Sequence, residues 1–288
     1  MTFHPAPGAA PLLPIPDTVA RLLRDLVHER TGVYFDDERL ELMLDKLKPR
    51  AHAHSCLSFL DYYYILKYEE KGPEEWRRVM DAFSVQETYF WREFDQVKAL
   101  VDAVVPEWFS RQDRPLRIWS AACATGEEPY SLAMALEEAG WGRHPIEIHA
   151  SDGSEAALAR ARAGVFRERS FRSLPPELRA KYFMPTPEGD RLRPELASRV
   201  SFRWANLVDP TGYADLGTLQ VIFCRNVFIY FSNQSIAKVA GHFADRMSER
   251  GHLFIGASET LLKITDEFEL NEVGGAFAYR RTGVTAKV

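Results

Sequence analysis

The sequence predicts an open, mainly parallel α/β sheet, preceded by a small all-helical domain and interrupted by a short antiparallel β insertion. Three observations carry this reading. From Asp17 to about Phe83 apolar residues recur at helical spacing and no strand pattern appears. Leu116 to Ser131, LRIWSAACATGEEPYS, is an apolar strand that turns sharply into a helix. Beyond it, apolar runs alternate with helical stretches until the period breaks in the proline-rich stretch Phe166 to Phe202. Alternation of this kind is the signature of a doubly wound sheet.

Taken in order, residues 1–16, MTFHPAPGAAPLLPIP, read as a flexible Pro-rich tail without the basic flank and apolar run of a secretory signal. Asp17 can cap a helix through Val19, Leu22, Leu23, Leu26 and Val27 that Gly32 ends. A second helix starts near Asp36 or Asp37, buries Leu40, Met43, Leu44 and Leu47, and stops before Pro49. Ser58–Lys67 and Pro73–Phe83 supply a third and fourth, completing a domain over 17–84. The domain over 85–288 opens with a helix from about Asp95 to Phe109. Strands are expected at 116–120 and 146–151, with helices at 130–139 and 154–163. An insertion over about 165–203 follows, holding a helix at Pro176–Tyr182 and two or three short antiparallel strands. The sheet resumes at Val200–Trp204 and Leu219–Cys224, then come a helix over Ser232–Arg250, a strand over His252–Ala257 and a hairpin over Phe268–Arg280 turning at Gly274 and Gly275.

Composition narrows the function. The chain has 288 residues, enough for two domains, and 46% of them are hydrophobic. A net charge of −5 supplies no global attraction to nucleic acid or an anionic membrane. Cys56, Cys123 and Cys224 are far apart in sequence and lack metal-ligand spacing, which speaks against a zinc site or disulfide framework and for a reducing, cytoplasmic compartment. No apolar run approaches the length of a transmembrane helix.

The strand-to-helix junction is where open α/β sheets hold a ligand. A dinucleotide site wants several glycines for a pyrophosphate. This turn has only Gly126, followed by Glu127 and Glu128. These acids would repel phosphate and suit a cofactor bearing a sulfonium and an ammonium, as S-adenosylmethionine does; alternatively they only complement the helix dipole. Asp152 ends the second strand, about 25 residues after Gly126, where an acid can meet ribose hydroxyls or cap the next helix, a task Ser154 can also perform. Asn206 can read an adenine edge or serve as a turn residue. Arg225 and Asn226 emerge at the end of an apolar strand, with Tyr230 just beyond. On the second helix Arg39, Lys46 and Arg50 share one flank, either merely solvated or a docking face for an acidic helical partner. A nicotinamide-dependent dehydrogenase would share the alternating pattern, but the glycine-poor, acidic turn argues against it.

An ordered set of segments makes the resemblance specific: PRAHAHSCLSFLDYYYILK, FSVQETYFWREFDQ, RIWSAACATGEEPYSLAM, HASDGSEAALARARAGVF, SLPPELRAKYF, VIFCRNVFIYF and LFIGASETL. In this order, over nearly the whole chain, the sequence resembles the CheR family, chemotaxis receptor glutamate O-methyltransferases that use S-adenosylmethionine. The resemblance implies a helical N-terminal domain and a class I, Rossmann-like methyltransferase sheet with an inserted antiparallel subdomain. It puts cofactor contacts on Gln86, Thr88, Arg92, Ala122, Glu128, Asp152, Asn206, Leu207, Arg225 and Asn226, and Arg92 and Tyr230 by the reacting centre. Arg92 can pair bidentately with a carboxylate of either cofactor or substrate. Gln86 stands where the family usually has Asn, Ala122 where Gly is usual, Gly153 where Ile is common, and Ala205 where a His often precedes the Asn.

The resemblance further implies transfer of a methyl group to glutamates on the cytoplasmic helices of chemoreceptors, with S-adenosylhomocysteine as product. The chain is further expected to be a monomer, with no metal, no nucleic-acid partner and no membrane insertion. The softened motif positions leave a catalytically weak, cofactor-binding regulatory adaptor with a methyltransferase fold as the alternative. MPTPEGDRLRP, in the insertion, is short and holds only Gly189, which suits a member that does not need a receptor tether peptide.

Overall fold

The computed structural model describes residues 12–112 and 114–282. The chain divides into two compact units, Met1–Ser84 with Tyr230–Ser232, and Val85–Ile229 with Asn233–Val288. Most of the tail expected over 1–16 lies outside the described residues. Leu12 to Pro16 carry no helix or strand, and Leu13 N donates to Leu57 O at 2.9 Å.

The first unit is all-helical. α1 (Asp17–Thr31) ends at Gly32, whose φ of 78° suits the left-handed stop. Pro16, not Asp17, occupies the cap position, so Asp17 acts as a first-turn acid instead. Asp36 accepts from Arg39 N to open a 3₁₀ turn (Asp37–Arg39) that runs into α2 (Leu40–Ala53). α2 continues through Pro49 rather than stopping before it. The missing N–H and ring clash cost about 3 kcal/mol, and burial of Leu47 and Ala51 on either side of the proline offsets it. α3 (Phe59–Tyr68) starts with a reciprocal Ser58/Asp61 capping box, and α4 (Gly72–Phe83) has its proline in the first turn. The core is Leu23, Val27, Met43, Leu47, Tyr62 and Val79. Inside it Glu75, only 3% exposed, receives Arg50 Nε at 2.9 Å, Arg50 Nη2 at 2.6 Å and the Tyr62 hydroxyl at 2.6 Å. These partners hold the Glu75 carboxyl below its usual range against the opposing effect of burial.

The second unit begins with α5 (Phe94–Ala99), a π turn (Leu100–Val104) and α6 (Val105–Phe109), a helix whose ladder widens just before Pro106. β1 (Leu116–Ala121), α7 (Glu127–Glu138), β2 (Ile146–Asp152) and α8 (Glu155–Ala163) follow. The insertion carries β3 (Val165–Phe166), α9 (Pro176–Tyr182), β4 (Phe183–Thr186), β5 (Gly189–Leu192) and α10 (Pro194–Ala197). Its strands form an antiparallel sheet of order β3-β5-β4. β6 (Val200–Trp204), β7 (Leu219–Cys224), α11 (Asn233–Arg246), β8 (Met247–Ile255), β9 (Phe268–Val273) and β10 (Ala276–Arg281) complete the main sheet, ordered β6-β2-β1-β7-β8-β10-β9. The first five strands in that order are parallel, and β10 is antiparallel to both neighbours. α11 stops at Arg246, short of the expected Arg250, because Met247 already pairs with Leu219. The register then shifts before Val221 meets His252.

β7 is buried at every position and β1 at all but Arg117, as expected of central parallel strands covered on both faces. α7 packs Leu132, Met134 and Leu136 into a core with Ile118, Ile148, Val221 and Phe254. From β1 the chain crosses to β2 on one side, while β7 lies on the other. The carboxyl ends of these three strands therefore flank a topological switch point, the usual place for a ligand in such sheets.

Candidate active site

The turn after β1 is strained. Ala122, Ala124 and Gly126 have φ of 68°, 47° and 95°, and left-handed backbone at a non-glycine residue costs about 1–2 kcal/mol. Asp152 holds it: Oδ2 accepts from Ala124 N and Oδ1 from Ser154 N, both at 2.8 Å. Asp152 thus ties the turn after β1 to the segment that leads into α8, while Ser154 caps that helix, its Oγ accepting from Ala157 N at 3.1 Å. Gly126 serves packing as well as the turn, since a Cβ there would sit 3.0 Å from Ala161 Cβ and 3.2 Å from Tyr130 Cε2. Its smallness brings α7 and α8 together and does not open space for a ligand.

The two acids that follow part company. Glu127 is 3% exposed and turns inward, where its carboxylate accepts from Thr125 Oγ1 at 2.6 Å and from Ser170 Oγ at 2.9 Å, tying the turn to the insertion. Glu128 accepts from Ser120 Oγ at 2.6 Å and from Arg225 Nε at 2.7 Å. Arg225 is itself deeply buried, its side chain 3% exposed, and donates to the carbonyls of Arg92 at 3.0 Å and Glu93 at 3.2 Å and to Gln96 Oε1 at 3.4 Å. The expectation that Glu127 and Glu128 both face a cation is therefore corrected. One is consumed by the insertion and the other is neutralised by an arginine from the end of β7.

The segment QETYFWR is anchored by Phe90, which is fully buried with ring centroids 4.8 Å from Phe166, 5.4 Å from Phe171 and 5.2 Å from Phe183. Gln86 and Thr88, on either side of Glu87, are half-exposed. Trp91 and Glu93 take left-handed backbone, φ 64° and 48°, and Trp91 stacks on Phe94 at 4.6 Å. Arg92 Nη1 donates to the Glu87 carbonyl at 2.7 Å, which fixes the guanidinium. Its Nε lies 4.0 Å from Glu93 Oε1.

Asn206 accepts from Val208 N at 3.2 Å in the turn after β6, and the buried Leu207 next to it offers its carbonyl to the Tyr213 hydroxyl at 2.9 Å. Asn226, φ 59°, donates from Nδ2 to Glu93 Oε1 at 3.4 Å. The loop that carries it is clamped by Glu259, whose carboxylate accepts from the backbone N–H of Gly256 (2.6 Å), Val227 (2.7 Å), Asn226 (2.9 Å) and Ile229 (3.3 Å). A Cβ on Gly256 would lie 2.6 Å from Asn226 Nδ2 and 2.8 Å from Glu259 Oε2, so only glycine fits. Tyr230 follows this loop directly. Its backbone belongs to the helical unit, where its carbonyl accepts from Tyr34 N at 2.9 Å.

Arg92, Glu128 and Arg225 are linked by direct contacts, Asp152 holds the turn after β1, and Asn226 joins the group through Glu93. Glu93, Gln96 and Glu259 complete the cluster without having been singled out individually, although Glu93 and Gln96 lie in the quoted segment FSVQETYFWREFDQ and Glu259 in LFIGASETL. The charges are mixed, with four carboxylates (Glu93, Glu128, Asp152 and Glu259) against two guanidinia (Arg92 and Arg225). This suits a ligand carrying carboxylate, ammonium and sulfonium together. A diphosphate, which binds through free backbone amides at a helix start, would find the Ala124 amide already taken by Asp152, so the turn suits S-adenosylmethionine better than a dinucleotide.

The flank expected to present Arg39, Lys46 and Arg50 is also corrected. Arg50 is committed to Glu75, and Lys46, half-buried, donates to the Ala82 carbonyl at 3.2 Å. Arg39 is exposed and paired with Asp36 at 3.1 Å. Periodicity put the three on one side of α2, but α4 occupies two of them.

Comparison with known proteins agrees with this geometry. Residues 86–275 match the CheR methyltransferase SAM binding domain and residues 20–84 the CheR methyltransferase all-alpha domain. The chain is similar to chemotaxis protein methyltransferase 2 of Vibrio cholerae, 33% identical over 92% of this chain and 93% of that protein. It is 32% identical to chemotaxis protein methyltransferase 1 of Pseudomonas aeruginosa over 90% and 96% of the two chains. Against the chemotaxis protein methyltransferase of Escherichia coli it is 30% identical over 90% of each. Residues 86–275 thus form an S-adenosylmethionine-binding domain, and the chain belongs to the CheR methyltransferase family.

Proposed function

We propose that this protein transfers the methyl group of S-adenosylmethionine to glutamate side-chain carboxylates on the cytoplasmic helices of chemoreceptors, in the cytoplasm. The observation that carries the proposal is the cluster of Asp152, the Glu128–Arg225 pair and the fixed Arg92 fork at the switch point, in a chain whose relatives are named chemotaxis protein methyltransferases.

When bound, the cofactor supplies an electrophilic methyl group on a sulfonium whose leaving group is a neutral thioether. A glutamate carboxylate is already ionised at neutral pH, its ordinary pKa being about 4.3, so no general base is needed and the protein's task is alignment. Holding the carboxylate in line can contribute roughly 7–11 kcal/mol of barrier reduction. Arg92, held by the Glu87 carbonyl, presents its remaining N–H groups to a carboxylate. Tyr230, next to the loop that Glu259 fixes, orients the reacting groups. Asp152 receives the ribose hydroxyls while bracing the turn at Ala122. Gln86, Thr88, Asn206, Leu207 and Asn226 complete the cofactor contacts. Glu128 and Arg225 act through each other, fixing the floor of the crevice. With Lys46 and Arg50 engaged inside the helical unit, Arg39 is the remaining candidate for electrostatic docking on α2, and its contribution is salt-sensitive.

Incubation of the protein with methyl-labelled S-adenosylmethionine and receptor-containing membranes tests this. Label in the receptor band supports it, and Tyr230→Phe is expected to lower turnover more than cofactor affinity. Tight cofactor binding without any labelled receptor would instead mark an adaptor.

A further inference from the structure

A second guanidinium lies beside Arg92, supplied by the insertion. Arg172, between Phe171 and α9, sits over the Tyr89 ring with its central carbon 3.6 Å from the centroid, while the central carbon of Arg92 lies 5.7 Å from the same centroid. Arg172 Nη2 donates to Glu87 Oε1 at 2.7 Å, and Arg92 donates to the carbonyl of that same residue. The Glu87 carboxyl is held below its usual range chiefly by Arg172, with smaller contributions from Arg169 and Arg92. Arg169 and Arg172 are both exposed. In a chain of net charge −5, three arginines converge on one carboxylate beside the residue assigned to the reacting centre.

Two features make this arrangement more than surface decoration. Stacking on Tyr89 restricts the Arg172 fork, so little freedom remains to be lost when it takes a ligand. Its present partner is exposed, and exchanging one carboxylate for another across an exposed pair changes little energy. Glu87 therefore occupies the place of an acidic side chain that arrives from outside. Arg92 and Arg172 both lie within about 6 Å of one aromatic ring, and acids on one face of a helix neighbour each other at i,i+3 or i,i+4, so one helix face can offer an acid to each.

We propose that Arg172, stacked on Tyr89 and guarded by Glu87, is a specificity-determining residue that binds a second acidic side chain of the substrate helix, one turn from the glutamate that Arg92 receives. This deepens the proposed function and rests on it. Substrates with paired acids are preferred over those with a lone glutamate, and Glu87 competes with them as an internal stand-in.

The test uses the full-length protein and two coiled-coil substrates carrying a chemoreceptor methylation segment. One has the target glutamate with a second glutamate four residues away, and the other has glutamine at that second position. Wild-type protein is expected to show about 5- to 10-fold higher kcat/KM on the two-acid substrate, mostly through KM. Arg172→Gln is expected to erase the difference while leaving the dissociation constant for S-adenosylhomocysteine unchanged. Glu87→Gln is expected to lower KM for the two-acid substrate about 2-fold, an improvement that a merely structural Glu87 would not produce. Equal kcat/KM on both substrates with wild-type protein, or a preference that survives Arg172→Gln, overturns the inference and leaves glutamate methylation standing. Absence of labelled methyl on either substrate overturns the glutamate reading and this inference with it.

Discussion

Replacing Arg225 with Met removes the only guanidinium that reaches Glu128 among the described residues and leaves a carboxylate whose side chain is 12% exposed and which still accepts from Ser120 Oγ at 2.6 Å. Breaking a buried pair from one side costs about 3–5 kcal/mol, because the surviving charge is uncompensated. With a urea m value of about 3 kcal/mol/M, the upper range for a domain of this size, the unfolding midpoint of Arg225→Met falls by about 1–1.7 M. Glu128→Gln alone leaves a buried guanidinium that still has the carbonyls of Arg92 and Glu93, so its cost is smaller. The double variant Arg225→Met/Glu128→Gln recovers about 2 kcal/mol of the single loss, a coupling a double-mutant cycle measures directly. Urea unfolding followed by tryptophan fluorescence reads all four proteins. A single-variant cost under 1 kcal/mol, or a double variant no more stable than Arg225→Met, would refute the view that this pair forms the buried floor of the crevice.

Other perturbations reach different parts of the account. Asp152→Asn turns an acceptor for two backbone amides into a group with one acceptor oxygen. It is expected to weaken S-adenosylhomocysteine binding by about 10- to 100-fold, roughly the 1.5–3 kcal/mol of a hydrogen bond to a charged group, as calorimetry would show. Gly256→Ala forces a methyl to within 3.0 Å of Asn226 N and closer still to Glu259. The loop must shift, at about 1–3 kcal/mol of stability, and turnover falls with it; wild-type activity would contradict the clamp. His252, 5% exposed in the second half of β8, has its pKa lowered to about 4 by burial and, secondarily, by Arg280. The unfolded chain, titrating near 6.5, binds more protons between those values, so stability is complete above about pH 6.5 and falls as pH drops towards 4. The loss is about 3 kcal/mol; unfolding of His252→Gln at pH 7 and pH 4.5 should lack this component, and an identical pH slope would refute the assignment.

The helical unit and the α/β alternation were legible because periodicity is local. Gly32 marks its helix end, Pro176 to Tyr182 forms a helix, and the proline-rich break holds a three-stranded sheet. Single strand-end residues such as Asp152 and Arg225 were legible for the same reason, since each ends an apolar run. What local pattern cannot show is the partner. Glu127 looked like a ligand acid, yet its oxygens belong to Thr125 and to Ser170 in the insertion. Lys46 and Arg50 looked like a docking flank, but α4 supplies Ala82 and Glu75 to engage them. Glu259 serves four amides, three of them about thirty residues earlier in the chain, and Arg172 reaches back to Glu87 and Tyr89. Helix α2 crosses Pro49 because tertiary burial outweighs a local breaker.

The central claim is that the transferred methyl ends on a carboxylate oxygen, and the lability of that bond tests it most directly. After incubation of the protein, methyl-labelled S-adenosylmethionine and receptor-containing membranes, the receptor band is treated with mild alkali and volatile label is collected. Ester chemistry predicts release of the label as methanol, with none released when the target glutamates are changed to alanine. Label that stays with the protein through alkali treatment would place the methyl on nitrogen or sulfur and contradict the account.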